Sequence, residues 1–166
     1  MRLDALTLEQ CEQVRLWRND ALYALRTPYP LTAEQQAEFY RNVVCDRNAR
    51  SRYWAVILAD SFVGQAGLEN IEWENRRAEI SLLIDTQYRG KGIGEQAFEL
   101  LMEQGFKYMN LDHIWGECYL SNPAIKFWTR LAEKHNAKTV VIPATRFWEG
   151  NTVASYHFTF SRRGWK

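Results

Sequence analysis

Between positions 89 and 94 the chain reads Arg89-Gly90-Lys91-Gly92-Ile93-Gly94, a run of residue types suited to holding an anion. Glycines at alternate positions let the backbone take positive φ and approach a ligand closely. An amphipathic pattern begins directly behind them, so a helix start brings free N–H groups and the positive end of its dipole to the same spot. Arg89 and Lys91 add mobile positive charge, and the whole suits a pyrophosphate. Two familiar phosphate loops are ruled out by spacing. A dinucleotide GxGxxG would need glycine at 95 or 97, where Glu95 and Ala97 stand, and a P-loop would need Lys-Ser/Thr where Gly94 is followed by Glu95.

Other reactive residue types form no such group. His113 opens an expected strand, His135 ends a helix and His157 lies in the last strand, so no metal site is legible. Cys118 lacks the neighbouring histidine or metal spacing of a nucleophile and reads as core. Cys11, Cys45 and Cys118 contain no CxxC pair and leave an odd count, which suits a reducing cytoplasm better than a disulfide framework.

The elements around this loop come in a restrictive order. Arg2–Leu6 is a short strand, and Thr7 with Gln10 has capping-box spacing ahead of a helix to about Asn19. Two prolines in Arg26-Thr27-Pro28-Tyr29-Pro30 stop it. Thr32 and Gln35 open a second helix with Ala33, Ala37, Tyr40 and Val44 on one face. Tyr53–Ala59, Phe62–Ile71 and Arg77–Asp85 are strands with short connections, hence an antiparallel meander. A long helix over Gly92–Met109 carries Ile93, Ala97, Leu100, Leu101 and Tyr108 on one stripe. A strand at His113–Leu120 and a helix from Asn122 to Lys134 follow. Strands Thr139–Ile142 and Val153–Phe160 then flank a loop, Pro143–Asn151. The order βααβββαβαββ specifies one α/β layered domain over 1–166 with a mixed, mostly antiparallel sheet.

Composition agrees with one such domain. The 166 residues are 46% hydrophobic and 25% charged, a length that buries roughly 70% of the unfolded surface without staples. Twenty-one Lys and Arg against 20 Asp and Glu give no global nucleic-acid signal. The apolar runs are too short and too interrupted by charge to span a bilayer, and the first residues lack a signal peptide's apolar centre. The expected location is cytoplasmic.

Arg89-x-x-Gly92-x-Gly94 resembles the acyl-CoA signature [Gln/Arg]-x-x-Gly-x-[Gly/Ala] of the GNAT acetyltransferase superfamily, and the element order resembles that fold over almost the whole chain. Trp17-Arg18-Asn19-Asp20 and Asn122-Pro123-Ala124-Ile125-Lys126-Phe127-Trp128 resemble the branch containing ribosomal-protein N-terminal, spermidine and nucleotide-aminosugar acetyltransferases. The resemblance implies an acetyl-CoA-dependent N-acetyltransferase. A bulge would splay the central strand from its neighbour, and the pantetheine arm would pair with Leu82, Leu83 and Ile84. Arg89, Gly90, Lys91, Gly92, Ile93 and Gly94 would hold the pyrophosphate, and Asn122 would touch the pantetheine or adenosine side. A thioester held along a strand edge is oriented without using a side chain.

Acetyl transfer to an amine needs a base, oxyanion stabilisation and a proton for the leaving thiolate. By resemblance Glu79 is the first base candidate, on the same strand face as Ser81. A salt bridge to Arg76 or Arg77 is the competing reading. Glu117 is the second candidate, with Glu69 and Glu72 behind. Many relatives carry a tyrosine where Trp128 stands, and an indole cannot act as an acid near neutral pH. That leaves Ser121, Tyr119 or water.

On the acceptor side the resemblance places Trp17, Arg18, Asn19, Tyr29, Phe147 and Trp148. A flat aromatic stacks on a sugar or base, and Arg18 or Arg26 receives a phosphate. These residues suit a nucleotide-linked aminosugar better than a polyamine, for which only Glu69, Glu72 and Glu74 offer acid. A protein amino terminus or lysine is the alternative acceptor. A catalytically silent acyl-CoA-binding module is the reading from another class, kept open by Trp128. Dimerisation, common in that fold, is not decided by the sequence.

Overall fold

Both capping boxes form. In α1 (Leu8–Asn19) the Gln10 N–H donates to Thr7 Oγ1 at 3.2 Å, and the Thr7 N–H donates to Gln10 Oε1 at 3.0 Å. In α2 (Ala33–Phe39) Thr32 and Gln35 make the same exchange. Each box satisfies helix-start donors that would otherwise have no partner. The computed structural model describes residues 1–165, in the order β1 (Arg2–Ala5), α1, α2, β2 (Arg52–Leu58), β3 (Ser61–Glu72), β4 (Arg77–Ile84), α3 (Ile93–Glu103), β5 (His113–Tyr119), α4 (Ile125–Lys134), β6 (Lys138–Trp148) and β7 (Asn151–Ser161).

Seven strands make one sheet in the order β1-β2-β3-β4-β5-β7-β6. Every pairing is antiparallel except β4 with β5. That parallel pair requires a crossover, and α3 supplies it. Its seam is short. Arg77, Ala78 and Glu79 pair with His113, Ile114 and Trp115, and beyond Glu79 the β4 strand is bonded to β3 alone.

The sheet has unequal faces. On one, α3 and α4 pack Phe98, Leu101 and Leu131 against Leu68, Ile80, Ile114, Phe158 and Phe160 to form the main core. On the other, α1 and α2 cover β1–β3 with a smaller cluster around Leu6, Cys11, Ala55 and Ile57. No helix among the described residues is long and apolar enough to cross a membrane.

Three expectations need correction. The segment Pro143–Asn151 is not a loop, because β6 and β7 form one long hairpin turning at Glu149-Gly150. Its strand register is interrupted between Ile142 and Arg146, where Ala144 takes φ 54°. The bulge absorbs Pro143 on an edge strand, the one place in a sheet where a missing N–H costs little. The stripe along the long helix ends early. The helix passes into a π-helical turn at Gln104–Tyr108, which shifts the phase and leaves Tyr108 exposed while Phe98 and Met102 are buried. In α2 the buried residue is Gln36, whose amide donates to the Cys11 carbonyl at 3.0 Å, and Ala33 is exposed.

Candidate active site

The Arg89–Gly94 run joins the end of β4 to the start of α3. Gly90 and Gly92 both take positive φ, 73° and 76°, and Gly92 is the residue at which α3 begins. A Cβ added at either would meet nothing within 4 Å, so the backbone conformation, and not crowding by the protein, calls for glycine there. The first intrahelical bond at this end runs from the Gln96 N–H to the Gly92 carbonyl. The amides of Ile93, Gly94 and Glu95 are therefore left pointing out of the helix start. Arg89 donates through Nε to the Ile84 carbonyl at 2.9 Å, and Lys91 donates to the Gln87 carbonyl at 3.0 Å. Both cations are thus tied to the rim of the loop.

Leu82, Leu83 and Ile84 lie on the stretch of β4 that has lost its partner on the β5 side. From Glu79 to Ile84 this stretch spans about 17 Å at 3.3 Å per residue. It ends at the glycine loop, so one widening slot runs from Glu79 to the α3 amides.

At the closed end of the slot the register sets Glu69 opposite Glu79 and Glu79 opposite Trp115. Glu117, two residues along β5, stands opposite His157. All these side chains point to the sheet face that carries α1 and α2. Glu79 is 4% exposed, and its two oxygens have different partners. Asn70 Nδ2 donates to Oε2 at 3.0 Å, and the Arg26 guanidinium donates to Oε1 through Nη2. The same guanidinium reaches Glu117 Oε2 through Nε at 3.2 Å and Nη2 at 3.0 Å. Glu117 Oε1 lies 3.4 Å from His157 Nε2, which is itself 2.8 Å from Ser155 Oγ. Glu79 is thus salt-bridged, but to Arg26 rather than to Arg76 or Arg77. Arg76 bonds Asp112 and Asn110, and Arg77 bonds Glu72.

Burial opposes the charge of Arg26, but the hydrogen bond and charge of Glu79, with Glu117 behind, outweigh it and hold the guanidinium above its ordinary value. Burial also raises the Tyr119 phenol, helped by Glu117 and opposed by Arg26 and Arg146. Cys118 faces the main core, where burial and the Glu117 charge push its thiol up to about 12. Trp128 is a core residue, stacked on Phe158 with ring centroids 4.7 Å apart. Ser121 is exposed in the turn after β5.

The residues expected on the acceptor side separate. Asn19 is a clamp for the double-proline segment, accepting from the Leu31 N–H at 2.8 Å and donating to its carbonyl at 3.0 Å. Trp17 stacks on Phe62, with centroids 5.2 Å apart, in a depression shared with Asp85 and Gln87. Arg18 lies near Tyr53, whose phenol burial and Glu69 push upward against the charge of Arg18. Tyr29 is exposed, as is Phe147. Trp148 and Tyr119 receive the Arg146 guanidinium over their rings at 4.2 and 4.7 Å. Asn122 uses both ends of its amide inside the chain, donating to the Ala24 carbonyl at 3.1 Å and accepting from the Ala124 N–H at 2.9 Å.

Asn70 and Arg146 were not among the expected residues. Asn70 sits at φ 49° where β3 carries one more residue than β4, between Glu69 and Glu72. Arg146 is a buried arginine near the end of β6, donating to the carbonyls of Tyr23 at 2.5 Å and Leu22 at 3.1 Å. An arginine directly ahead of two aromatics in Thr145-Arg146-Phe147-Trp148 was the available signal.

Comparison with known proteins gives a family and a fold. Residues 1–135 match the family model described as an acetyltransferase (GNAT) domain. An uncharacterized N-acetyltransferase, p20, of Bacillus licheniformis is 25% identical over 138 residues, covering 80% of this chain and 78% of that protein. The spermidine N(1)-acetyltransferase of Escherichia coli strain K12 is 29% identical over 114 residues, 67% of this chain and 60% of that protein. Among solved structures, a Vibrio cholerae spermidine N-acetyltransferase in complex with CoA and spermine superposes with a TM-score of 0.86 at 17% identity, covering 99% of this chain and 96% of the other. A ribosomal L7/L12 alpha-N-protein acetyltransferase in complex with coenzyme A gives 0.81 at 15% identity, covering 96% and 92%.

Proposed function

Because the chain belongs to the GNAT acetyltransferase family, we propose that it moves an acetyl group from acetyl-CoA to the primary amine of a small molecule, with Glu79 as the base. One observation carries the reading: Glu79 and Glu117 share a guanidinium at the closed end of a slot whose open end is the glycine loop.

The residues present fit acetyl-CoA, which when bound supplies an activated acetyl thioester. The free amides of Ile93, Gly94 and Glu95, with Arg89 and Lys91 beside them, would hold the pyrophosphate at the positive end of α3. The unpaired backbone of Leu82, Leu83 and Ile84 would orient the pantetheine arm. Asn70 and Arg26 fix the Glu79 carboxylate while leaving it lone pairs for an incoming amine proton. Tyr119 is the hydroxyl of choice for the leaving thiolate, because Trp128 is committed to the core.

For the acceptor we favour a nucleotide-linked aminosugar. Arg26 faces the carboxylates of Glu79 and Glu117, and Arg18 on α1 lies near Tyr53. Glu72, one of the acids a polyamine would need, is held by Arg77 at 2.8 Å and by Asn75 at 2.7 Å. The test is free-thiol release from acetyl-CoA with spermidine, an aminosugar nucleotide and a short peptide in parallel. Release with the aminosugar nucleotide well above the others supports the reading. Release with none, together with no acetyl-CoA binding in a calorimeter, refutes it.

A further inference from the structure

Arg26 occupies an unusual position for a residue that merely neutralises acids. Of its five N–H groups, the one on Nε and those on Nη2 are engaged with Glu117 and Glu79, the Tyr119 phenol lies close to the same guanidinium, and Nη1 makes no hydrogen bond among the described residues. The side chain is 49% exposed.

The backbone that carries it is tied down from three directions. Arg146 on β6 donates to the carbonyls of Leu22 and Tyr23, Asn122 ahead of α4 donates to that of Ala24, and Asn19 on α1 holds Leu31 on the far side of the two prolines. A guanidinium on a strap so anchored is a fixed charge. Its planar fork suits a carboxylate or a phosphate.

We propose that Arg26 sets acceptor specificity, binding through Nη1 an anionic group carried by the same molecule as the reacting amine and turning away acceptors that are only cationic. The inference rests on the acetyltransferase reading above and deepens it. A purely cationic acceptor can bring its nitrogen to Glu79 but leaves the free edge of the guanidinium unused and lies beside its charge. An amine that also bears an anion places its nitrogen by Glu79 and its negative charge on the free edge. A carboxylate and a phosphate share this chemistry, so an α-amino acid and a phosphorylated aminosugar are both of the class.

The experiment compares kcat/KM for spermidine, glucosamine, glucosamine 6-phosphate and serine in the unmodified protein, R26K and R26Q, with acetyl-CoA binding followed by calorimetry. The expected result is a preference of tenfold or more for one of the two anionic amines over spermidine. The phosphate and carboxylate arms tell which anion is read. R26Q is expected to cut that preference at least tenfold, mainly through KM of the anionic amine, with R26K intermediate and acetyl-CoA affinity unchanged in both. A salt bridge of purely structural value would lower activity toward all four amines alike. Turnover that favours spermidine, or a preference unmoved in R26K and R26Q, overturns the proposal while leaving the acetyltransferase reading intact. If R26Q does not fold, R26K and the unmodified protein's preference still decide. Turnover of none of the four amines overturns this inference, and absence of acetyl-CoA binding as well overturns the functional reading with it.

Discussion

Two glycines of one loop should respond to the same substitution with opposite signs. Gly92 sits at φ 76° with open space around its Cβ position, so Gly92→Ala brings no clash but forces an L-residue into the left-handed region. That costs roughly 1–2 kcal/mol. Gly94 lies inside α3, and its added Cβ would rest 3.4 Å from the Phe127 ring, an ordinary contact. Gly94→Ala relieves helical backbone entropy and should gain about 0.5–1 kcal/mol. The two variants therefore differ by roughly 1.5–3 kcal/mol. At about 2–4 °C per kcal/mol for a chain of this length, they should melt roughly 3–12 °C apart, Gly94→Ala higher. Thermal melts of the ligand-free proteins measure this directly. Acetyl-CoA titration adds the functional half. The methyl at 92 stands before the outward amides and should weaken binding at least tenfold, whereas alanine at 94 satisfies the family signature and should leave it unchanged. Equal melting points, or the reverse order, would refute the conformational argument.

Glu79→Gln should keep acetyl-CoA binding but slow turnover most below neutral pH, where the amine needs the most help losing its proton; an unchanged pH–rate profile would pass the role of base to Glu117. Gly116→Ala would bring a Cβ to 2.5 Å from the Phe158 ring and 2.8 Å from Ile80, and should cost about 1–3 kcal/mol in chemical denaturation. Ellman's reagent at pH 8 should label the exposed Cys45 quickly and leave the buried Cys11 and Cys118 unreacted until denaturant is added. Both buried thiols ionise near 12 when folded against 9.0 as free groups, so the unfolded chain sheds these protons first. Their contribution to stability should therefore fall as pH climbs from 9 toward 12, readable as a lower denaturant midpoint at pH 10.

What the sequence made legible was local. Capping boxes, the glycine loop and the alternating strands each depend on residues a few positions apart, and Thr7, Thr32 and Gly92 do what their spacing implies. The order of elements followed from connection lengths. Partners distant along the chain were out of reach. Arg26 and Glu117 are 91 residues apart, and nothing near Glu79 announced that its cation would come from the double-proline segment rather than from Arg76 or Arg77. The β6–β7 hairpin was missed because a proline within a strand reads as a break unless the strand is known to be an edge, and edges are a property of the assembled sheet. Asn19 and Asn122 resembled ligand contacts in a motif but use their amides to fasten backbone.

The three-residue seam between β4 and β5 has a mechanical consequence. The sheet is two ribbons, one of four strands and one of three, laced at one end and held beneath by Phe158, Ile80 and Ile114. A ligand lying along the bare edge of β4 is then a temporary eighth rung that turns two ribbons into one plate. Those amides of Ser81–Ile84 that point away from β3 should exchange their hydrogens rapidly in the free chain and slowly once the rung is in place.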